Sequence, residues 1–412
     1  GTSSIVNDAS NDYVSWAWKA GGSKNTFNVD DVGYASASDV GMNVGGQNDN
    51  AYNKSQTWSS NVSGGSGAYG AAANAFNGNL SNYASPEYSS AMTYTNPSAS
   101  DTVIDTFEIY GRQYSTSITL ELNDTDIKSQ LSTTVTWHNI TGFSGQTFNK
   151  LYWRPTSGNL EVRIYAIRIN GKILVDTSVT PPDAPSTANT GASVGTKQGF
   201  SIVKFTNDST SPITLSHGLT QAPTFVLLKA LTGSVGWTVG HTSIGFTKRL
   251  KLNGTDAESA SANFFFDSPP SDSLITLGAN NVSNDFIMYS WHDVPGLQKF
   301  GTYEGNNDND GVFVELGFRP SILLIKRVDN TDDWFLYDGT RRPINVNSRY
   351  LRPNSSAVEN TGDGAGTGLD LLSNGFKIRS DSSAINAAET YIYAAWAEAP
   401  TVDLYGGGAN AR

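Results

Sequence analysis

Apolar and aromatic residues in this chain come in short runs broken by Gly, Asn, Asp and Ser, and no segment sustains a 3.6-residue period. The runs "TFVLLKA" at 224–230 and "SILLIKR" at 321–327 are dense in β-formers and closely preceded by proline, which marks a strand start. "WTVG" and "WFLY" follow after polar turns, as the second arm of a hairpin would. "FIMYSW" and "YIYAAW" mix alternation with continuous apolarity, which fits strands covered on both faces. The pattern predicts an all-β chain.

The same pattern repeats. Pro223, Lys229 and Trp237 match Pro320, Lys326 and Trp334 at an offset of 97 residues. Leu250 and Asn253 match Leu351 and Asn354 at 101, and Trp291 matches Trp396 at 105. A slowly rising offset is what small loop insertions produce. Residues 199–296 and 297–400 are therefore two copies of one β unit ending in an aromatic strand. "DYVSWAWKA" at 12–20 has the spacing of that last strand, with Tyr13 and Trp18 in the places of Phe286 and Trp291. Residues 1–20 are thus expected to be the final strand of an upstream unit. The tryptophans kept in every copy are expected in the interior.

Residues 21–54 read as a Gly, Asn and Asp-rich connector, residues 179–198 as a linker, and 401–412 as a tail. Residues 55–178 share no match with the repeat. They carry strand-like runs such as "DTFEIYG", "SITLELN" and "FNKLYWRP", with a hairpin turn at Asn170–Gly171. The expected architecture is tandem β-sandwiches, jelly-roll-like, with one inserted sandwich.

Composition narrows the chemistry. The chain of 412 residues has a net charge of −11 and no basic run longer than two residues, so nucleic acid is not expected as a partner, and no apolar run approaches the roughly 20 residues of a spanning helix, so membrane insertion is not expected either. It has no cysteine, which removes disulfides, thiolate metal sites and cysteine nucleophiles together. The four histidines show no metal-ligand spacing, and His292, whose repeat partner is Ala397, reads as a surface residue. Asp308 and Asp310 before Gly311 have a calcium-like spacing, but Asn306 and Gly317 stand where that loop needs acids; a polar turn explains them equally well. Asp30 with Asp31, and Asp332 with Asp333, are neighbours that a strand would point to opposite faces, so they read as solvated turns. No catalytic residue, metal or cofactor is expected.

Sugar binding needs flat aromatic faces and Asn, Asp or Arg hydrogen-bonding groups. Such residues crowd two loops: Asn77, Asn79, Asn82 and Tyr83 in the middle domain, and Asp338, Arg341 and Arg342 in the last unit. The last two have no counterparts after "WTVGH", where "TSIGF" stands.

The repeated motifs, "APTFVLLK…GW" and "RPSILLIKR…DDWFLYDGTR…TYIYAAWAEAP", resemble a domain of tail-associated and appendage proteins of marine bacteriophages, especially those of cyanobacteria. The likeness covers roughly residues 1–45 and 185–412. It implies a virion structural protein, a tail fibre or similar appendage, with no assigned catalytic residues. The middle domain is similar to the sandwich inserted in those phage proteins. Its "NAFNGNLSNYAS" also resembles a loop of discoidin-like carbohydrate-binding sandwiches, with Asn77 where that family has Asp. The expectation is a non-enzymatic virion component that helps attach the particle to a host surface. It would be homo-oligomeric, with a trimer as first guess, and would contact other virion proteins and a host glycan. The alternatives are a carbohydrate-binding adhesin of a viral or bacterial surface and, behind it, a polysaccharide depolymerase.

Overall fold

The computed structural model describes residues 10–44, 57–64, 69–88, 90–97, 103–114, 117–156, 161–170, 172–176, 185–207, 212–260, 268–278, 284–360 and 365–398. The fold is all-β, built from several sheets packed as sandwich-like bodies, with one four-residue α-helix, Ser383–Asn386, among the described residues. No helix among them is long and apolar enough to cross a membrane. The predicted 401–412 tail, with residues 1–9, lies outside the described residues.

The repeat is visible rung by rung. In the first module Phe200–Asn207 and Phe225–Ala230 flank Asn284–Trp291, and Thr238–His241 follows outside. In the second, Gln298–Glu304 and Ile322–Arg327 flank Thr390–Trp396, and Trp334–Asp338 follows. Phe225 lies opposite Trp291 as Ile322 lies opposite Trp396. Asn253 Oδ1 accepts from the Trp237 amide at 2.8 Å, and Asn354 Oδ1 from the Trp334 amide at 2.9 Å. The matched lysines also do one job. Lys229 Nζ donates to the carbonyls of Ala230 and Val235, and Lys326 Nζ to those of Arg327 and Asn330. Each module covers its main sheet with a smaller one: Ile213–Ser216 with Leu274–Leu277, and Phe313–Glu315 with Gly375–Ile378 and Leu369–Leu372. Between the layers lie separate cores, one around Phe205, Phe286 and Met288, the other around Tyr337, Phe376 and Tyr391.

A further core joins the modules. The ring of Phe225 stacks on Phe300 at 5.4 Å, and Trp334 Nε1 donates to the Lys251 carbonyl at 2.8 Å. Loops exchange backbone bonds as well, Glu258 to Val328 and Asp332 to Thr255, both at 2.9 Å. Trp18, Trp291 and Trp396 meet at this junction, with ring centroids 6.5, 5.3 and 6.1 Å apart, edge to face. Three residues matched by sequence spacing alone thus converge in space.

Four readings from the sequence need correction. Residues 10–20 pair with no strand, although Trp18 sits beside its repeat counterparts; the segment is held by ring contacts and has no neighbouring strand edge to form a ladder with among the described residues. The "connector" 21–54 contains a hairpin, Phe27–Val29 with Val32–Tyr34, turned by Asp30 and Asp31 at φ of 48° and 67°. The "linker" 179–198 contains the strand Asn189–Gly195. That strand binds Phe200–Asn207 on one side and Phe27–Val29 in parallel on the other, extending the first module's sheet to nine strands. Polar composition hid these strands because few of their residues that enter the core are apolar, Phe27, Ala192 and Val194 among them. Gly21 lies so close over Val194 that a Cβ would fall 2.2 Å from its carbonyl oxygen, so glycine there serves packing instead of looseness. Finally His292 is buried, not at the surface, with Nδ1 2.8 Å from the Asp293 carbonyl.

The tryptophan pair also differs from expectation. Trp334 is 1% exposed, whereas Trp237 is half-buried against Tyr289. The backbone environment is shared, but only Trp334 faces the junction.

Residues 57–176 form the middle sandwich. One sheet orders Val62–Gly64, Met92–Thr95, Lys150–Pro155, Ile118–Leu122 and Thr125–Asp126; the other orders Lys172–Ile173, Val162–Ile169, Phe107–Gln113 and Thr136–Asn139. Trp58, Tyr94, Phe107, Phe148 and Trp153 fill the space between. The Asp176 carboxylate accepts from the Ser59 amide at 2.9 Å and from its hydroxyl, clipping the end of the domain to its beginning. Asn170, at φ 53°, turns the hairpin between Ile169 and Lys172.

Candidate functional site

The strand Phe107–Gln113 alternates buried and half-buried residues without a break. Phe107, Ile109 and Gly111 face the core, so Glu108, Tyr110 and Arg112 face outward. The adjacent Val162–Ile169 does the same with Arg163, but its register shifts between Ile164 and Ala166. An irregularity of this kind re-aims side chains; Tyr165 comes to lie beside Tyr110, and Arg168 opposite Glu108.

The outcome is a continuous strip of rings on the outer face of this sheet. Trp137 lies 5.3 Å from Tyr110, Tyr110 5.7 Å from Tyr165, and Tyr165 5.4 Å from Tyr83. Guanidinium groups lie on the rings: Arg168 over Trp137 at 4.0 Å, Arg163 over Tyr83 at 4.2 Å and Tyr114 at 4.9 Å, and Arg112 over Tyr114 at 4.1 Å. Glu108 accepts from Arg168 at 3.3 Å, and Glu161 from Arg163. Tyr114 is 41% exposed, Tyr83, Tyr110 and Trp137 are half-buried, and Tyr165 between them is buried. Rings held edge-on by neighbours, with fixed planar donors beside them, make a platform that needs little ordering on binding.

Of the predicted loop residues only Tyr83 belongs to this platform. Asn77 Oδ1 accepts from the Asn79 amide at 2.8 Å, and Asn79 Oδ1 from the Ser81 amide at 2.9 Å. These are turn-forming bonds that use up the side-chain oxygens. Asn82 is exposed, and its backbone closes the same turn on Asn79. The second predicted cluster is structural too. Asp338 Oδ1 accepts from the amides of Thr340 and Arg341, at 3.0 and 2.8 Å, and its other oxygen pairs with Arg341. Arg341 goes on to Glu359 at 2.5 Å and lies 5.9 Å from the ring of Trp16. Asp338 matches His241, whose Nδ1 accepts from the Ser243 amide at 3.1 Å. Both side chains therefore hold the turn that ends the same strand. Arg342 lends its carbonyl to Asn347. The predicted residues thus do not converge on one site.

Residues 177–400, more than half the chain, match the model of a domain of unknown function, DUF7483. The chain belongs to the DUF7483 family. No curated protein and no solved structure matches the chain. The DUF7483 match takes in both modules and the strand Asn189–Gly195 at once. That agrees with a family unit made of two copies sharing a buried junction. The strip lies wholly outside this span, in the middle sandwich.

In the DUF7483 region an open cleft of about 530 Å³ lies beside Asp333, Tyr350, Arg352 and Thr367. Its groups are already engaged with one another: Arg352 pairs with Asp333 at 3.2 Å, and Asn354 donates to Asp333 at 2.6 Å. Its aromatic floor, Phe335 and Tyr350, is buried. Asp310 is likewise taken, by Lys377 at 2.9 Å and Arg379 at 3.3 Å. Among the described residues the aromatic and arginine strip is the better recognition surface.

Sequence reasoning missed Tyr110, Arg112, Trp137, Arg163, Tyr165 and Arg168. The signal was present in "FEIYGRQY", where Glu108, Tyr110, Arg112 and Tyr114 occupy every second position. Their partners on the neighbouring strands could not be read without the register.

Proposed function

We propose that this chain is a non-enzymatic structural component of a bacteriophage virion, a tail fibre or appendage that contacts the host surface. Its paired modules act as a rigid carrier and its middle sandwich as the sugar-contacting part. The observation that carries the reading is the row Trp137–Tyr110–Tyr165–Tyr83 with its stacked arginines on an outer sheet face. The half-buried rings of Trp137, Tyr110 and Tyr83, held in line by the buried Tyr165, suit the apolar faces of sugar units. The tandem repeat and its likeness to phage appendage domains support the virion setting. Several chains brought together, a trimer in the simplest case, would turn weak contacts into avidity.

Labelling of phage particles with antibody against this chain, viewed by electron microscopy, tests the setting; label confined to tail structures is expected. Binding of the purified chain to a glycan array tests the contact. Trp137→Ala and Tyr83→Ala are each expected to weaken retained glycans by about tenfold, the loss expected for one aromatic contact worth about 1.4 kcal/mol. A second reading, a dedicated carbohydrate-binding adhesin of a viral or bacterial surface, rests on the same strip. Glycan binding without label on particles would favour it.

A further inference from the structure

The strip is not electrically uniform, and its imbalance points to a ligand class. Arg112 and Arg163 are direct cross-strand partners in the ladder. Like charges placed opposite one another destabilise a sheet unless something neutralises them. Glu161 answers Arg163, and Glu108 answers Arg168 at the far end. Arg112 has no carboxylate partner among the described residues, and its buried Nε has no hydrogen-bond acceptor there. The strip therefore presents three guanidiniums against two carboxylates, with the surplus at one end. Tyr114 and Tyr83 hold the Arg112 and Arg163 planes by stacking, which fixes the direction of their donors.

The geometry points to an anionic saccharide as the ligand of this strip: a sugar ring on Tyr110 and Trp137, with its carboxylate or sulfate held by Arg112 and Arg163. A planar guanidinium pairs with such oxygens through two parallel hydrogen bonds, which a lysine could not reproduce. The acid would also relieve the repulsion between the two arginines, so the ligand and the sheet are stabilised together. The chain as a whole carries −11, so a polyanion has no general reason to adhere to it. This inference rests on the strip's being a sugar platform and adds which sugars it takes.

The test uses the full chain and three probes: polygalacturonate, the same polymer fully methyl-esterified, and a neutral glycan array. Polygalacturonate is expected to bind at least tenfold tighter than the ester, and to weaken as salt rises. Arg112→Gln is expected to abolish that preference, with the circular dichroism unchanged and the unfolding midpoint no lower, since the repulsion with Arg163 is removed. Arg154→Gln, an exposed arginine on the opposite sheet, removes the same charge and is expected to leave the preference intact. Equal binding of acid and ester, or equal loss with both variants, overturns the anionic assignment. If only neutral glycans bind and Trp137→Ala abolishes them, the ligand class is wrong and the platform stands. If no glycan of either kind binds, the platform reading and the assignment fall together.

Discussion

The two modules of the DUF7483 region follow one ladder and are used differently. Each has the same four-strand order, the same asparagine bonded to the amide of the second-strand tryptophan, and the same lysine on nearby carbonyls. What differs is the surroundings of each sheet. The first module gains three strands beyond Phe200–Asn207, whereas no strand among the described residues pairs beyond Gln298–Glu304 in the second. The first presents Phe225, Val239 and Leu250 to the junction; the second presents Phe300, Trp334 and Trp396. The contact joins matched faces of the two sheets, since Trp291 and Trp396, Leu227 and Leu324, and Val239 and Leu336 all belong to one core, but the side chains that fill the matched positions differ. Repetition fixed the backbone, and position in the pair decided which side chains are buried.

That comparison can be broken most sharply at the tryptophans. Trp334→Ala is expected to cost about 3–5 kcal/mol, the range for a buried aromatic emptied to a cavity. Trp237→Ala should cost less than half of that, since its ring is half-buried. Urea unfolding of the two variants checks this, and equal losses would show that the sheet, not the junction, sets the burial.

Next come the matched turn residues, His241 and Asp338. His241 is wholly buried, and burial pushes its pKa down to about 4. The folded value lies below the unfolded one, so the unfolded state binds more protons in between. Stability is then full above about pH 6.5 and falls as pH drops through 4, by on the order of 3 kcal/mol. His241→Asn keeps an acceptor for the Ser243 amide and is expected to flatten this slope. A slope unchanged in that variant would assign the acid sensitivity elsewhere. Folding should carry an imprint of the same sign, at higher pH, at Lys326, where burial lowers the pKa to about 8. Its charged form is disfavoured, so stability should rise between about pH 8 and 10.5, and Lys326→Met should remove the rise.

The smallest effect is expected where the modules agree. Asn253→Ala and Asn354→Ala should each cost about 1–2 kcal/mol, the loss of an acceptor for a strand amide. Similar values would confirm that the bond belongs to the repeat. A difference above about 1 kcal/mol would mean that the junction reaches it too.

Much of this molecule was legible in its residues. Runs of β-formers between turn residues defined an all-β chain, and spacing alone paired Lys229 with Lys326 and Trp291 with Trp396. Such signals are local, because strand period and turn chemistry act over a few residues. The strands within "FNVDDVGY" and "NTGASVG" escaped notice, since their stability comes from neighbours about 165 residues away in the chain, as Phe27 and Ala192 are. The same reason hid the strip. Tyr110, Trp137 and Tyr165 sit on three different strands, and a register shift at Ile164 turns the last of them into line. The sequence by itself determined which residues could pair and which module would be copied. Tertiary structure alone decided which tryptophan is buried and which aromatic faces stand together, because both depend on what packs across a sheet, and no local spacing encodes that.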